Sequence, residues 1–222
     1  TDDIAQLPEL LGRLSEEYRC YSDVFYWKAA FVPHPKIMGS VGMKLATISK
    51  YKIDSAVRHQ LPLIPADPVS TQFNLKRAVL ETKLPVAGSA VALTALNTHL
   101  DAFAQGDDTM RRQVDFVDAL LGDLRESVHS YYNSESELRP LFEKYDSAAP
   151  LATLLNRGTR PAYYTFFSNN PAVTGPDRTI DHVFYDADLL PLERYRVRQS
   201  DTLHISDHLP MSFTFRVPAA VQ

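Results

Sequence analysis

The chain has 222 residues, with 45% hydrophobic and 23% charged side chains, an ordinary globular composition with length enough for one large core. A formal net charge of -4 excludes the strongly basic footprint of a dedicated duplex-DNA binder, though not a local basic groove. The single cysteine, Cys20, excludes an intrachain disulfide, and no apolar run is long enough to span a bilayer, so a reducing, cytoplasmic setting is expected. "TDDIAQLPELL" does not read as a signal peptide, while the lack of an initiator Met is compatible with a removed targeting segment.

Along the chain, Ile4, Leu7, Leu10, Leu11 and Leu14 recur at helical spacing and predict an amphipathic helix over 3–18. "YSDVFYWKAAFVPHPKIMG" reads as a strand and then a loop, and "VGMKLATISKYKI" as a strand ending near Lys50. "PLIPADPVS" is a proline-punctuated loop. "FNLKRAVLETKLPV" and "SAVALTALNTHL" read as paired strands joined by a turn at "AGS".

From Asp107 a long helix is predicted, its apolar face carried by Met110, Val114, Val117, Leu121, Leu124 and Val128, with Asp107 or Asp108 as cap. A second helix is predicted directly after it in "SESELRPLFEKY", opened by a capping box of Ser134 and Glu137. "RTIDHVFYD", "YRVRQS" and "MSFTFRV" read as short strands. Strands and helices mix, with hairpins instead of strict βαβ alternation, which predicts a layered α/β domain with a mixed sheet.

Three polar clusters stand at strand ends: Asn97, Thr98, His99 and Asp101 in "LNTHLDAF"; Asp181 and His182 in "TIDHVFY"; Ser206, Asp207 and His208 in "ISDHLP". Strand-end side chains converge readily on one rim of a sheet. Carboxylates are hard ligands suited to Mg²⁺ or Mn²⁺, and a neighbouring histidine serves as general base or stabilises charge on a phosphoryl oxygen. That combination suits phosphoester hydrolysis. Asp181 and His182 alternate on the strand, so His182 is expected to be structural. His204 is a candidate for the rim. Arg77 is read as a phosphate contact or as a solvated or ion-paired arginine. The stripe Arg194, Arg196 and Arg198 shares one strand face, by default a solvated one.

"NTHLDAF", "TIDHVFY" and "SDHLPMSF", in that order, resemble motifs of the endonuclease/exonuclease/phosphatase superfamily, and "GMKLATISKYKI" and "KRAVLE" resemble its central strands. The resemblance implies a DNase I-like four-layered sandwich, two mixed sheets face to face with flanking helices. It also implies metal-dependent phosphoester hydrolysis with Mg²⁺ or Mn²⁺. Carried over by position, His99 contacts the scissile phosphate, Asp181 positions the attacking water or the phosphate, and His208 is general base or transition-state stabiliser. Asp207 binds metal or orients that histidine, and Asn97 and Arg77 contact substrate. The implied substrate is a phosphoester of a nucleic acid, a phospholipid headgroup or a small phosphodiester, with no transmembrane segment and no stable protein partner inferable.

Two parts of the family pattern are missing: the early "Q-E", whose Glu is the principal metal ligand, and the "G-D-F-N" after the long helix. "GDL" at 122–124 falls inside the helical periodicity and does not supply the latter. A helix running straight into a helix leaves an unfilled slot in a sheet. The expectation is a single domain over 1–222 with segments missing before residue 1 and near 130–131; the alternative is a catalytically degenerate binding module. Intact mass of the purified protein tests this: a value above 25.0 kDa is expected, and 25.0 kDa itself would favour the degenerate domain.

Overall fold

The computed structural model describes residues 6–35, 37–88, 92–101, 107–122, 127–132, 138–168, 170–200, 202 and 206–217. The chain divides into two units, Thr1–His99 and Leu100–Gln222.

In the first unit, α1 spans Gln6–Arg13 and buries none of its residues. It is shorter than the periodicity predicts: Gly12 weakens its last turn, and the chain then turns with the Tyr18 N–H donating to the Ser15 carbonyl at 3.0 Å. β1 (Cys20–Val32) and β2 (Gly39–Ser49) form a long antiparallel pair. β3 (Ser55–Gln60) has no counterpart in the sequence reading; nearly all its side chains are exposed, so it carries no apolar alternation. The proline-punctuated loop contains a one-turn helix, α2 (Pro68–Phe73), capped by Asp67, whose carboxylate accepts from the N–H groups of Val69 and Ser70 at 2.9 and 3.1 Å. β4 (Ala78–Pro85) pairs antiparallel with both β3 and β5 (Ala92–Thr98). Between β4 and β5, Gly88 has a φ of +77°, which suits glycine.

The β1–β2 pair packs on β4 and β5. Tyr26 and Leu45 bury against Ala78 and Leu80. Polar bonds pin the same interface: Ser22 Oγ lies 3.1 Å from Thr82 Oγ1, Thr82 donates to Thr47 at 3.3 Å, and Asn97 donates its amide to the Ala46 carbonyl at 3.2 Å.

In the second unit, α3 (Thr109–Gly122) starts where Asp107 accepts the Thr109 N–H at 2.7 Å, and buries Met110, Val114, Val117 and Leu121 as the spacing predicts. It stops at Gly122. The expected continuation to Val128 is incorrect, because Ser127–Tyr132 is a strand, β6, while Leu124 lies outside the described residues. "SVHSYY" extends instead of coiling, consistent with the strand preference of its valine and two tyrosines. The helix-into-helix junction that suggested a gap at 130–131 is therefore replaced by a strand. After it come α4 (Arg139–Lys144), capped by the Leu138 backbone, β7 (Asp146–Ser147), α5 (Leu151–Leu155) and a 3-10 turn at Arg160–Tyr163. The expected capping box at Ser134 and Glu137 lies outside the described residues.

β8 (Asp181–Tyr185) pairs antiparallel with β6 on one side and β7 on the other, and β9 (Leu192–Val197) pairs antiparallel with β10 (Met211–Phe215). Val183 and Tyr185 of β8 bury against Leu192, Tyr195, Met211 and Phe215, so this unit too stacks a strand pair on a sheet. Among the described residues, no helix is long and apolar enough to cross a membrane.

Packing at Gly42 offers a test. A Cβ there would meet Phe25 Cε1 at 2.7 Å, and that ring is held between the ammonium groups of Lys28 and Lys44, 5.3 and 4.6 Å from its centroid. Gly42→Ala is expected to destabilise the chain by about 1–3 kcal/mol. Gly12→Ala, on the exposed α1 with nothing within 4 Å, is expected to stabilise by about 0.5–1 kcal/mol. Urea unfolding ranks the two, and the reverse order would contradict this packing.

Candidate active site

The site in the second unit begins with a threonine. Thr165 is fully buried, and its hydroxyl accepts the N–H groups of both Ile180 and Asp181 at 3.0 Å, fixing the start of β8. The backbone around it laces three segments together. Phe166 N–H donates to the Arg178 carbonyl at 3.1 Å, Phe167 N–H to the Asp207 carbonyl at 2.9 Å, and Leu209 N–H to the Thr165 carbonyl at 2.7 Å. Phe167 and Leu209 bury with Val197 beneath this lacing.

The lacing brings Asp181 to His208. His208 Nδ1 lies 2.9 Å from Oδ1 and 3.1 Å from Oδ2 of Asp181. The aspartate is 18% exposed and the imidazole 36%, so the pair sits at a rim and is neither core nor free surface. Ser206 Oγ accepts the His208 backbone N–H at 3.1 Å. The Phe166 ring stands edge-on to the imidazole at 6.3 Å, with the Arg178 guanidinium 5.2 Å from its centroid.

The hydrogen bond to Asp181 holds the His208 pKa above its ordinary value; burial opposes this, and the charges of Asp181 and Asp207 reinforce it. Tyr195 lines the same region. Burial, then the Asp181 charge and Tyr163, push its phenol far above the ordinary range, so it stays protonated and donates to Met211 Sδ at 3.2 Å. Tyr163 stacks on it at 5.6 Å.

Alternation along β8 turns His182 the other way, as expected. It is fully buried, edge-on to Phe142 at 5.5 Å and stacked near Phe184 at 6.1 Å. Asp207 is half-buried; its backbone carbonyl is part of the lacing, and Asp181, not Asp207, grips the imidazole. His204 lies outside the described residues.

In the first unit, His99 follows β5 directly and is half-buried, edge-on to Tyr26 at 5.6 Å. Arg77, just before β4, is buried with its guanidinium carbon 5.6 Å from the centroid of the same ring. Tyr26 thus gathers Arg77 and His99, and the solvated reading of Arg77 does not hold. Asn97 uses its amide to brace β2.

The described residues do not assemble a magnesium or manganese centre: no group of three or more His, Cys, Asp or Glu side chains gathers among them. The Asp181 carboxylate is engaged by His208 through both oxygens, which leaves Asp207 as the acid of this rim with oxygens to offer a cation. Mg²⁺ keeps several of its waters and takes one or two carboxylates beside phosphate oxygens, so Asp207 would supply one ligand of such a shell.

Thr165, Phe166 and Tyr195 were not singled out from sequence. Their signal is faint: Thr165 is the one aliphatic residue in the aromatic run "YYTFF", and Tyr195 is the inward residue among outward arginines.

Among solved structures, the chain is similar to the human Nocturnin catalytic domain with bound sulfate, at 16% identity over 95% of this chain and 77% of that one, TM-score 0.58. It is similar to an endonuclease/exonuclease/phosphatase from Beutenbergia cavernae, at 19% identity over 96% of this chain, TM-score 0.64; it spans 57% of that protein's length. A third likeness is to D. rerio TDP2 complexed with a single-strand DNA product, at 12% identity over 95% of this chain and 81% of that one, TM-score 0.63. No protein-family model and no curated protein matches the sequence. The fold is that of the endonuclease/exonuclease/phosphatase proteins, the DNase I-like α/β sandwich.

The dyad makes stability depend on pH. Because the His208 pKa is raised on folding, its stabilisation is complete below the ordinary histidine pKa and is lost as pH rises through the folded value. Asp181→Asn is therefore expected to lower the melting temperature more at mildly acidic than at mildly alkaline pH. A pH-independent difference between the two proteins would contradict the raised pKa.

Proposed function

We propose that this chain, with its DNase I-like fold, is a phosphoester hydrolase whose acid–base centre is the Asp181–His208 pair. The observation that carries the reading is the grip of both Asp181 oxygens on His208 Nδ1 at a partly exposed rim. A carboxylate so placed fixes ring and tautomer and raises imidazole basicity.

With His208 neutral, its Nδ1–H donates to Asp181, so proton exchange falls to Nε2. Water attacks phosphorus in line while Nε2 takes its proton. The P–O bond to the leaving group breaks, its electron pair passes to the leaving oxygen, which takes a proton from solvent, and the imidazolium afterwards releases its proton to solvent. Asp181 stabilises the imidazolium between these steps. In the first unit, His99 beside Tyr26 is the proposed contact for a charged phosphoryl oxygen. The substrate is a phosphoester of a nucleic acid, a phospholipid headgroup or a small phosphodiester.

A divalent ion, when bound, would neutralise phosphate charge, and Asp207 is the proposed ligand. The described residues do not complete its shell, and no step above runs through it. The lack of a "G-D-F-N" motif favours a second reading, a binding module that has kept the fold and lost turnover.

A screen of phosphoesters with added Mg²⁺ or Mn²⁺ separates the two. His208→Ala is expected to lower turnover about 10²–10⁴-fold with the fold retained. In the parent, activity should rise with pH to a midpoint above the ordinary histidine value, and Asp181→Asn should move that limb to lower pH. Parent-like turnover in His208→Ala would contradict the proposal, and no turnover of any substrate would leave the binding module.

A further inference from the structure

The β9–β10 pair of the second unit has a margin that the dyad does not use. Among the described residues, β10 ladders with β9 alone. The ladder tells which main-chain groups line the other edge. The Arg198 N–H donates to the Pro210 carbonyl and the Arg216 N–H to the Pro191 carbonyl, both at 2.9 Å, so residues 210 and 216 turn these groups toward the β9 chain. Direction alternates along an antiparallel strand, so Ser212 and Thr214 also face β9, while Met211, Phe213 and Phe215 direct their N–H and C=O groups outward. The register shift in the pair puts its extra residue, Glu193, on β9 and leaves β10 regular.

Edge strands are commonly guarded by proline, by charge or by a bulge of their own, and Met211–Phe215 has neither proline nor charge. Phe213 stands opposite Tyr195, on the inward face, yet is 39% exposed, with Phe215 against it at 5.3 Å between centroids. A further strand beside β10 would cover that ring.

The sequence of β10 indicates which strand fits. Read outward from Phe213, Met-Ser-Phe-Thr-Phe has a hydroxyl on either side and then a large apolar residue, so the strand is nearly the same in both directions. A second β10 laid antiparallel about a two-fold axis at Phe213 sets Phe213 opposite Phe213, Ser212 opposite Thr214 and Met211 opposite Phe215. These are aromatic, hydroxyl and sulfur–aromatic pairs, each of them favourable. The outward main-chain groups of 211, 213 and 215 then meet their own counterparts, as an isologous contact requires. Charge does not oppose it. Arg194 and Arg196 on β9 lie three strand spacings, about 14 Å, from those of the second copy, beyond the Debye length of about 10 Å at 0.1 M salt.

We propose that the outer edge of β10 is a self-pairing surface, through which two copies of this chain join their β9–β10 pairs into one antiparallel sheet. The contact is one strand wide, so the dimer is weak and forms with rising concentration. It stands independently of the catalytic reading, because it is read from mass and not from turnover.

The test is sedimentation of the full chain from low micromolar to near-millimolar concentration. The mass should rise toward twice that of the monomer and stop there, because a two-fold contact closes. Phe213→Lys sets two ammonium groups opposite each other on the axis and should hold the chain at monomer mass throughout. Should that variant misfold, engineered cysteines read the register. In a Cys20→Ser background, Phe213→Cys meets itself at about 5.5 Å between Cα atoms, within disulfide reach, and should give a cross-linked dimer on oxidation. Ser212→Cys faces Thr214 of the second copy and should not. Monomer mass at every concentration, a dimer that survives in Phe213→Lys, or equal cross-linking at 212 and 213 would overturn the pairing. So would a parent that stays monomeric and binds an unrelated extended peptide instead.

Discussion

A half-buried carboxylate is costly without a partner, and Asp181 meets that cost with one imidazole nitrogen. The bond is local in energy, but three separate segments must converge for it to exist. Thr165 supplies the anchor: its hydroxyl takes two backbone N–H groups at the head of β8, and its carbonyl takes the N–H of Leu209, one residue past His208. Phe167 and Leu209 bury below, so apolar packing and backbone hydrogen bonds define one position for the ring. Raised basicity in His208 follows from that placement, and so does the protonated phenol of Tyr195 beside it.

Each unit uses the same layering to reach its rim. In the first, Tyr26 and Leu45 seal a strand pair on β4 while hydroxyls of Ser22, Thr47 and Thr82 bond across the layers. The Tyr26 ring then serves two polar groups, with Arg77 and His99 both against it. In the second, Val183 and Tyr185 seal β8 on the β9–β10 pair, whose other face is left to the arginines. A twisted strand pair stacked on a sheet buries one face only, and the polar residues at strand ends are left where chemistry or binding is done.

Much of this was legible in the chain. The alternation of Asp181 and His182 assigned one to the rim and the other to the core, and the spacing of Met110, Val114, Val117 and Leu121 named the buried face of α3. The order of the three His/Asp motifs indicated the fold. What escaped the reading did so for physical reasons. Val128 extended the helical spacing by coincidence, whereas strand pairing with β8, a long-range contact, makes Ser127–Tyr132 extended. β3 is an exposed strand whose ladder, not its side chains, defines it. Thr165 acts through a hydroxyl accepting two distant N–H groups, which no local pattern encodes. The partner of His208 lies 27 residues away at Asp181, while the adjacent Asp207 is only a neighbour in sequence.

The most direct measurement is a pH titration of His208 by nitrogen NMR in isotope-labelled protein, assigned with His208→Ala. The structure calls for a neutral ring protonated on Nδ1 and a titration midpoint above the ordinary histidine value, both lost in Asp181→Asn. A ring protonated on Nε2, titrating at the ordinary value and indifferent to Asp181→Asn, would contradict the account.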